Sequence, residues 1–390
     1  MNVKTSSRIR IVLANSSLIG YPEAGGLWML FLQHLLGLHA LGHDVFWLEI
    51  FHSTGDPKRD EKLRGIFFER MNGYGVGDRC ILIENPQETW SQSLDSVTTF
   101  GRSLVEINRI IDSADLLWNF AWALHPPLLL LFKRRVFIDI DPGVTQVSAQ
   151  NWDMGQNDHH VFLTVGRKLH EPDCLVPTLG LQWHSFPPLV YLPMWTVTPD
   201  PGATAPFTTV TQWNWKEIWE EPAWSISKRS AYLRYLELPQ KAGRPFELAA
   251  NIHPDDDTGD REMLRKHGWQ LVHPHQAAGS PSDYAKFISR SRAELCCPKP
   301  IFRELKTGWL SDRSACYLAS GRPVLAEETG FGDHYPTGNG LLSFGDLDGA
   351  IAAVKEVDAN YAHHSRAARE FAETHLDSAV WLKNMLEVCG

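Results

Sequence analysis

Short apolar runs alternate with helical patterns along most of the chain. The first run, residues 9–14, is apolar throughout, as a strand buried on both faces requires, and apolar positions of helical period follow over residues 27–41. Gly42 is placed to end that helix, and residues 45–50 form the next apolar run. This succession predicts a βαβ unit and therefore a parallel sheet.

Similar runs recur in two series, separated by a stretch that has no periodicity. The further strands predicted in the first series lie at residues 80–83, 116–118, 136–140 and 161–165. Those predicted in the second series lie at residues 208–213, 246–252, 270–272, 293–297, 323–326 and 341–344. Between the series, residues 197–206 are rich in Pro, Thr, Gly and Ala, which is typical of a linker. We therefore predict an α/β fold with two domains of this kind, over residues 1–196 and 207–377.

Composition and charge fit a globular protein of two domains. The chain has 390 residues, of which 43% are hydrophobic and 21% charged, and its formal net charge is -9. An acidic chain without a run of Lys and Arg argues against a nucleic-acid binder. The six cysteines show no C-x-x-C spacing, which fits reduced thiols in the cytoplasm.

Neither a signal peptide nor a membrane span is predicted. The N-terminus meets charged residues before any apolar stretch of signal length, and the most apolar long segment, residues 116–132, is interrupted by Asn119, His125, Pro126 and Pro127. We expect a cytoplasmic protein without a transmembrane segment, an expectation that leaves room for peripheral contact with a membrane.

One segment, TGWLSDRSACYLASGRPVL over residues 307–325, has the pattern of an anion-binding loop and helix. Gly308 gives a phosphate room to approach the backbone, Ser311 stands at a helix N-cap, and the amides that follow would point at an anion. Gly321 is placed to end the helix, and Pro323 opens the next strand. A plain helix-to-strand connection of a doubly wound sheet is the alternative.

Four segments together resemble bacterial glycosyltransferases of the GT-B type over nearly the whole chain. They are residues 20–49, 136–146 and 162–183, and the segment 307–325 with the acidic loop that follows it. The resemblance implies two facing Rossmann-like domains with a cleft between them, and a last helix, over residues 378–390, that crosses back to the first domain. It also implies a nucleotide-sugar donor, such as a UDP-sugar, on the C-terminal domain and an acceptor on the N-terminal domain.

The resemblance assigns donor binding to particular residues of this chain. Gly25 and Gly26 match the glycine-rich loop where backbone amides approach the donor phosphates, although a tight turn would also explain them. Lys228 matches a phosphate-binding lysine of the family. Gln212 and Trp213 stand where many retaining members have Gly-Arg, so the arginine of that pair is missing.

Other cations must then neutralise the diphosphate. We expect Lys228 to do so, with Arg229 beside it and Arg313 or Lys299 as further cations. The alternative is that Lys228 and Arg229 are solvated charges on a helix surface. Trp309 is a candidate for stacking on a sugar, although core packing is the commoner role of a tryptophan.

The Glu-x7-Glu motif of retaining members is altered. Counting back from Gly321 puts Cys316 and Gly308 at its two positions, so neither carboxylate is present. Glu304 and Asp312 keep the spacing in a shifted register, and we expect Asp312 to contact ribose or sugar hydroxyls, with Glu304 as the weaker candidate.

The acidic loop aligns with residues that bind donor-sugar hydroxyls in the family. Its members are Glu327, Glu328 and Thr329. A carboxylate can accept paired hydrogen bonds from vicinal hydroxyls, which suits sugar recognition. An exposed acidic turn is the alternative.

For the chemistry we expect Asp141 to act, because it follows a strand at the sheet edge where α/β proteins bind ligands. It could deprotonate an acceptor hydroxyl or stabilise positive charge on the sugar. Glu23 is the substitute, and a turn cap is the alternative role of Asp141. Asp139 and Asp141 also spell the D-x-D of metal-dependent GT-A enzymes, a fold that would not need the second α/β half.

These patterns predict a glycosyltransferase that moves a sugar from a nucleotide diphosphate sugar to an unidentified small-molecule or glycan acceptor. We expect it to need no metal and no cofactor beyond that co-substrate. An epimerase of the same fold, which needs no acceptor cleft, and a non-catalytic two-domain sugar-binding module remain as alternatives. The altered motifs keep the second of these open.

Overall fold

The computed structural model describes residues 8–85, 93–94, 97–213, 224–252 and 259–390. Within them the chain forms two sheets, one in each half, whose helices pack around them. Every strand predicted from the apolar runs is present, with ends that differ by one or two residues.

Eight strands form the first sheet. They are β1 (Arg10–Asn15), β2 (Asp44–His52), β3 (Cys80–Asn85), β4 (Thr98–Phe100), β5 (Leu116–Phe120), β6 (Arg135–Asp139), β7 (Val161–Thr164) and β8 (Trp183–Ser185). Their order across the sheet is β4-β3-β2-β1-β5-β6-β7-β8, and only β4 runs antiparallel to its neighbour. The inner strands are buried on both faces, which explains their unbroken apolar sequences.

Six strands form the second sheet, and all of them are parallel. They are β9 (Phe207–Thr211), β10 (Phe246–Ala250), β11 (Trp269–Val272), β12 (Ala293–Cys296), β13 (Val324–Glu327) and β14 (Leu341–Phe344). Their order is β11-β10-β9-β12-β13-β14, the doubly wound order in which the direction of winding reverses between β9 and β12. The first sheet has the same reversal between β1 and β5. Ligands of such folds bind beyond the carboxyl ends of the strands at these two points.

The helices lie between the strands and over the sheets. They are α1 (Gly25–Ala40), α2 (Pro57–Gly73), α3 (Leu104–Ser113), α4 (Val144–Ser148), α5 (Lys228–Leu233), α6 (Leu238–Ala242), α7 (Asp260–Lys266), α8 (Pro274–Ala278), α9 (Pro281–Ser289), α10 (Pro300–Glu304), α11 (Asp312–Ala319), α12 (Leu347–Ala359), α13 (Tyr361–His375) and α14 (Ser378–Cys389). Of the described helices, none is both long and apolar enough to cross a membrane.

The last helix returns to the first half of the chain. A Cβ placed on Gly37 of α1 would lie 2.5 Å from Leu382 of α14, so the glycine lets the two helices touch. Arg134 Nε donates to the carbonyl oxygen of Cys389 at 3.0 Å. Helix α14 therefore packs on the first domain, as the sequence predicts.

Buried polar contacts join the two halves beside the cleft. The side chain of Gln33, on α1, donates through Nε2 to Cys316 Sγ of α11 at 3.8 Å, while its Oε1 accepts hydrogen bonds from Tyr191 and Trp195 at the end of the first domain. The backbone N–H of Lys168 donates to the carbonyl oxygen of Thr307 at 3.1 Å. Because these donors and acceptors are paired across the halves, the two sheets are held face to face.

Candidate active site

A cavity of about 370 Å³ lies between the two domains, where the carboxyl ends of both sheets meet. The first domain contributes the start of α1 and the loop after β6, and the second contributes the end of β9 and the starts of α5 and α11. The predicted site residues that line it are Glu23, Gly25, Gly26, Asp141, Gln212, Lys228, Lys299, Trp309, Ser311, Asp312 and Arg313.

Lys228 places a buried positive charge at the wall of this cavity. Its Nζ donates to the carbonyl oxygen of Cys297 at 3.2 Å and lies 5.6 Å from the ring centroid of Trp309. It forms no ion pair with a carboxylate of the described residues, and only 9% of the residue is exposed. Burial lowers the pKa of Lys228 to about 8. A buried ammonium without a counter-charge favours the arrival of an anion, and the solvated-charge alternative is wrong for this lysine.

The N-terminus of α11 forms a second part of the cationic wall. Ser311 caps this helix, as predicted, and accepts a hydrogen bond from the backbone N–H of Arg313 at 3.2 Å. The Arg313 guanidinium is fixed by an ion pair with Glu294 and by a bond to the carbonyl oxygen of Val210 at 2.7 Å. Asp312, the first residue of the helix, is half-buried, and burial raises the pKa of its carboxyl.

Asp141 and Lys299 face each other across the cleft. Lys299 Nζ lies 2.5 Å from Asp141 Oδ1, and the aspartate side chain is 43% exposed. The predicted reacting carboxylate and a predicted phosphate cation are therefore paired in this state. An anion that takes Lys299 would leave Asp141 as a carboxylate free to meet the substrate. Glu23 Oε2 lies 2.8 Å from His275 Nδ1.

Gly25 and Gly26 bring α1 against the second domain. A Cβ on Gly25 would lie 2.2 Å from the carbonyl oxygen of Ser280, and one on Gly26 would lie 3.2 Å from the Tyr284 ring. Neither glycine has a positive φ, because both belong to α1, so the tight-turn alternative is wrong. No side chain caps α1 at its N-cap, Ala24, and this end of the helix opens on the cavity.

Trp213 and Gly308 do not line the cavity, contrary to prediction. Trp213 is fully buried, and its indole Nε1 donates to Asp260 at 2.9 Å, because the chain turns the ring into the core of the second domain. Gly308 has φ of +70°, and a Cβ there would lie 2.8 Å from Lys168 Cγ. The sequence predicted that this glycine would make room for a phosphate. In the structure it allows two loops of opposite domains to touch.

The acidic loop is also directed away from the cavity. Glu327 is buried and pairs with Arg234 and, at 3.7 Å, with Arg303. Glu328 accepts hydrogen bonds from backbone N–H groups of its own loop, including that of Thr329 at 3.1 Å. Thr329 Oγ1 donates to the carbonyl oxygen of Trp309 at 2.6 Å. All three side chains thus bind protein groups, and neither the predicted sugar contact nor an exposed turn describes the loop.

Asp139 has no oxygen left for a metal. Its buried carboxylate accepts hydrogen bonds from Thr145 Oγ1 at 2.6 Å, Thr164 Oγ1 at 2.7 Å, Gln146 Nε2 at 2.9 Å and the backbone N–H of Asp141 at 3.0 Å. These bonds position the loop that carries Asp141, so the D-x-D alternative is not supported by this geometry. Nor do the described residues bring together three His, Cys, Asp or Glu side chains that could hold a metal ion.

Several lining residues were missed by sequence reasoning. They include Leu30, Thr211, Asn251, His275, Tyr284 and Phe302. Asn251 directly follows β10, so the strand-end rule that found Asp141 could have found it. His275 follows the end of β11 closely, so the same rule could have found it, whereas Tyr284 lies on the later helix α9 and no local signal marks it.

Comparison with known protein families gives a match in the C-terminal part of the chain. Residues 232–387 match a family model described as glycosyl transferase-like. A comparison with curated protein sequences finds no match.

Solved structures resemble the chain over nearly its full length. An alpha-glucosyltransferase in complex with UDP and a 13-mer DNA has a TM-score of 0.61 at 12% identity, over 98% of this chain and 99% of that one. HepE of Anabaena in complex with UDP and glucose has a TM-score of 0.56 at 10% identity, over 97% of this chain and 99% of that one. Sucrose-phosphate synthase of Thermosynechococcus elongatus has a TM-score of 0.51 at 11% identity, over 97% of this chain and 98% of that one.

The fold is that of the GT-B glycosyltransferases, with a glycosyl transferase-like sequence in the C-terminal half. The predicted fold class and the predicted resemblance to this class of transferase are confirmed. A bacterial origin stays a prediction.

Proposed function

We propose that this chain transfers a sugar from a nucleoside diphosphate sugar, most simply a UDP-sugar, to an acceptor hydroxyl in the interdomain cleft. The observation that carries the proposal is Lys228, a buried ammonium that has no carboxylate partner among the described residues and lies at the wall of a cavity that Lys299, Arg313 and the N-terminus of α11 also line. A buried ammonium beside the amides of a helix N-terminus suits a diphosphate. The UDP bound by two of the structural neighbours supports the choice of nucleotide.

In the proposed reaction the bond between the anomeric carbon and the diphosphate oxygen breaks, and its electron pair leaves on the diphosphate. Lys228, Lys299 and Arg313 stabilise that negative charge. The acceptor oxygen forms the new bond to the anomeric carbon. In an inverting displacement Asp141 takes the acceptor's proton. In a retaining one Asp141 stabilises positive charge on the sugar, and the acceptor's proton passes to the departing diphosphate oxygen.

The acceptor is proposed to be a small molecule or a glycan. One structural neighbour was solved with DNA, but the formal net charge of -9 on this chain argues for an acceptor other than nucleic acid. We further propose that cations of the protein and helix amides replace a metal at the diphosphate, and that the reaction runs in the cytoplasm without a cofactor.

Two measurements on the full chain test the proposal. Calorimetric titration with UDP is expected to show binding at micromolar concentration. Phosphorus NMR on a panel of UDP-sugars in EDTA is expected to show slow release of UDP from the correct donor, with water as the acceptor. Absence of UDP binding would contradict the donor assignment, whereas turnover that requires added manganese or magnesium would contradict only the metal-independent part.

A further inference from the structure

A small chamber lies beneath the cleft, at the carboxyl edge of the first sheet. Its volume is about 20 Å³, and it shares Leu30, Ile140, Trp309 and Asp312 with the lining of the main cavity. Ile140 directly follows β6, so the chamber lies on the side of the sheet where doubly wound folds bind ligands. The space is about that of a single water molecule or hydroxyl group.

His34 of α1 lines this chamber and is almost wholly buried. Its ring packs edge-on against Phe120, with centroids 5.1 Å apart, and lies 6.4 Å from Phe186. Nδ1 is 2.9 Å from the carbonyl oxygen of Leu30. Because a carbonyl oxygen can only accept, Nδ1 carries the hydrogen, and Nε2 is left with a lone pair.

Nε2 of His34 has no hydrogen-bond partner within the described part of the chain. A buried polar atom without a partner is costly, and such atoms in native proteins usually meet a water or a ligand. Burial also lowers the pKa of His34 to about 4, so the ring is neutral at physiological pH. Besides His34 the lining contains Asp312 and otherwise apolar or aromatic residues, so the neutral imidazole nitrogen suits a neutral O–H donor.

We propose that the chamber is a hydroxyl subsite for the donor sugar, in which His34 Nε2 accepts a hydrogen bond from one sugar hydroxyl. The donor sugar is favoured over the acceptor because Asp312 and Trp309 line both the chamber and the wall proposed to hold the diphosphate, to which the sugar is attached. This inference rests on the proposed function and adds a residue that determines which sugar is preferred.

The test compares wild-type protein with His34→Phe and His34→Gln. Phenylalanine keeps the ring that packs on Phe120 and removes the acceptor atom, whereas glutamine can return an acceptor oxygen to about the same place. Calorimetry with UDP and with UDP-glucose is expected to show unchanged UDP affinity in both variants. His34→Phe should bind UDP-glucose about tenfold more weakly than wild type, and His34→Gln should recover part of the loss.

Deoxy donors identify the hydroxyl. Four UDP-glucose analogues each lack the 2-, 3-, 4- or 6-hydroxyl. One of them is expected to bind wild-type protein about tenfold more weakly than UDP-glucose does. The same analogue should bind His34→Phe as tightly as UDP-glucose binds that variant. The inference is overturned if every analogue shows the same loss on both proteins, or if His34→Phe weakens UDP and UDP-glucose equally. Wild-type protein that binds neither ligand would overturn the proposed function instead, and this inference with it.

Discussion

Replacing Lys228 with methionine should change stability and ligand affinity in opposite directions. Methionine keeps most of the apolar volume of the lysine stem and removes the charge. Among the described residues the partners of this ammonium are the carbonyl oxygen of Cys297 and the face of the Trp309 ring. In the complex we expect it to face the diphosphate.

The structure sets the size of both effects. Burial lowers the pKa of Lys228 from 10.5 to about 8, which corresponds to about 3 kcal/mol of unfavourable free energy for the charged form in the folded state. The variant also loses the hydrogen bond to the carbonyl oxygen of Cys297, which offsets about 1 kcal/mol of this gain in stability. The variant should therefore be more stable than wild type by about 1–2 kcal/mol at pH 7. Its affinity for UDP should fall by about 30-fold or more, the scale of truncating a buried charge partner.

The pH dependence supplies a further check with a definite sign. Below pH 8 the folded lysine is charged, and the destabilisation is present in full. Between pH 8 and 10.5 the unfolded chain binds more protons than the folded one, so wild-type stability should rise with pH. The Lys228→Met variant should lack this rise.

Urea unfolding and calorimetry with UDP measure the two effects on one preparation. The matched control is Lys241→Met, because Lys241 is an exposed lysine of the same domain that pairs with the exposed Glu237. It should change stability by less than about 0.5 kcal/mol and leave UDP affinity unchanged. A Lys228→Met protein that is less stable and binds UDP as tightly as wild type would refute the reasoning.

Three further predictions concern the reacting group, the domain contact and acid stability. Asp141→Asn should keep UDP affinity but lower single-turnover rates by about a hundredfold or more; a folded, donor-binding variant with the wild-type rate would exclude Asp141. Gly25→Ala puts a Cβ 2.2 Å from a carbonyl oxygen of the second domain and should lower the melting temperature by several degrees, whereas Gly65→Ala, in open space within α2, should raise it slightly; equal shifts would contradict the contact. Burial lowers the pKa of His34 and His159 to about 4, so urea unfolding should show stability falling as pH drops from 6.5 towards 4, by up to roughly 3 kcal/mol for each histidine; stability that stays flat across this window would contradict the buried, neutral state of both rings.

The sequence predicts the framework of the fold because the inner strands are buried on both faces and stay apolar along their length. Strand β1 shows this most clearly. Strands β4 and β8 were missed because each has three residues, lies at a sheet edge and includes polar side chains, so neither has an apolar run. Apolar runs in the sequence therefore identify the buried inner strands, but they do not identify short strands at the edges of a sheet.

The site was predictable where position alone decides it. Asp141 lies in the cleft because it follows a strand at the carboxyl edge of a sheet, and Ser311 because it caps a helix. The roles of Asp139, Glu327 and Gly308 depend on partners that are distant in sequence, such as Thr164, Arg234 and Lys168. The sequence does not distinguish a carboxylate that binds hydroxyls or arginines of the protein from one that binds a ligand.

A crystal structure of the full chain with UDP tests the central claim most directly, because it locates the phosphates. The account predicts the diphosphate in the interdomain cavity, within hydrogen-bond distance of Lys228 Nζ and of the backbone amides at the start of α11. It also predicts Lys299 turned from Asp141 towards a phosphate oxygen. UDP bound outside this cavity, or bound in it with Lys228 still directed only at the carbonyl oxygen of Cys297, would contradict the account.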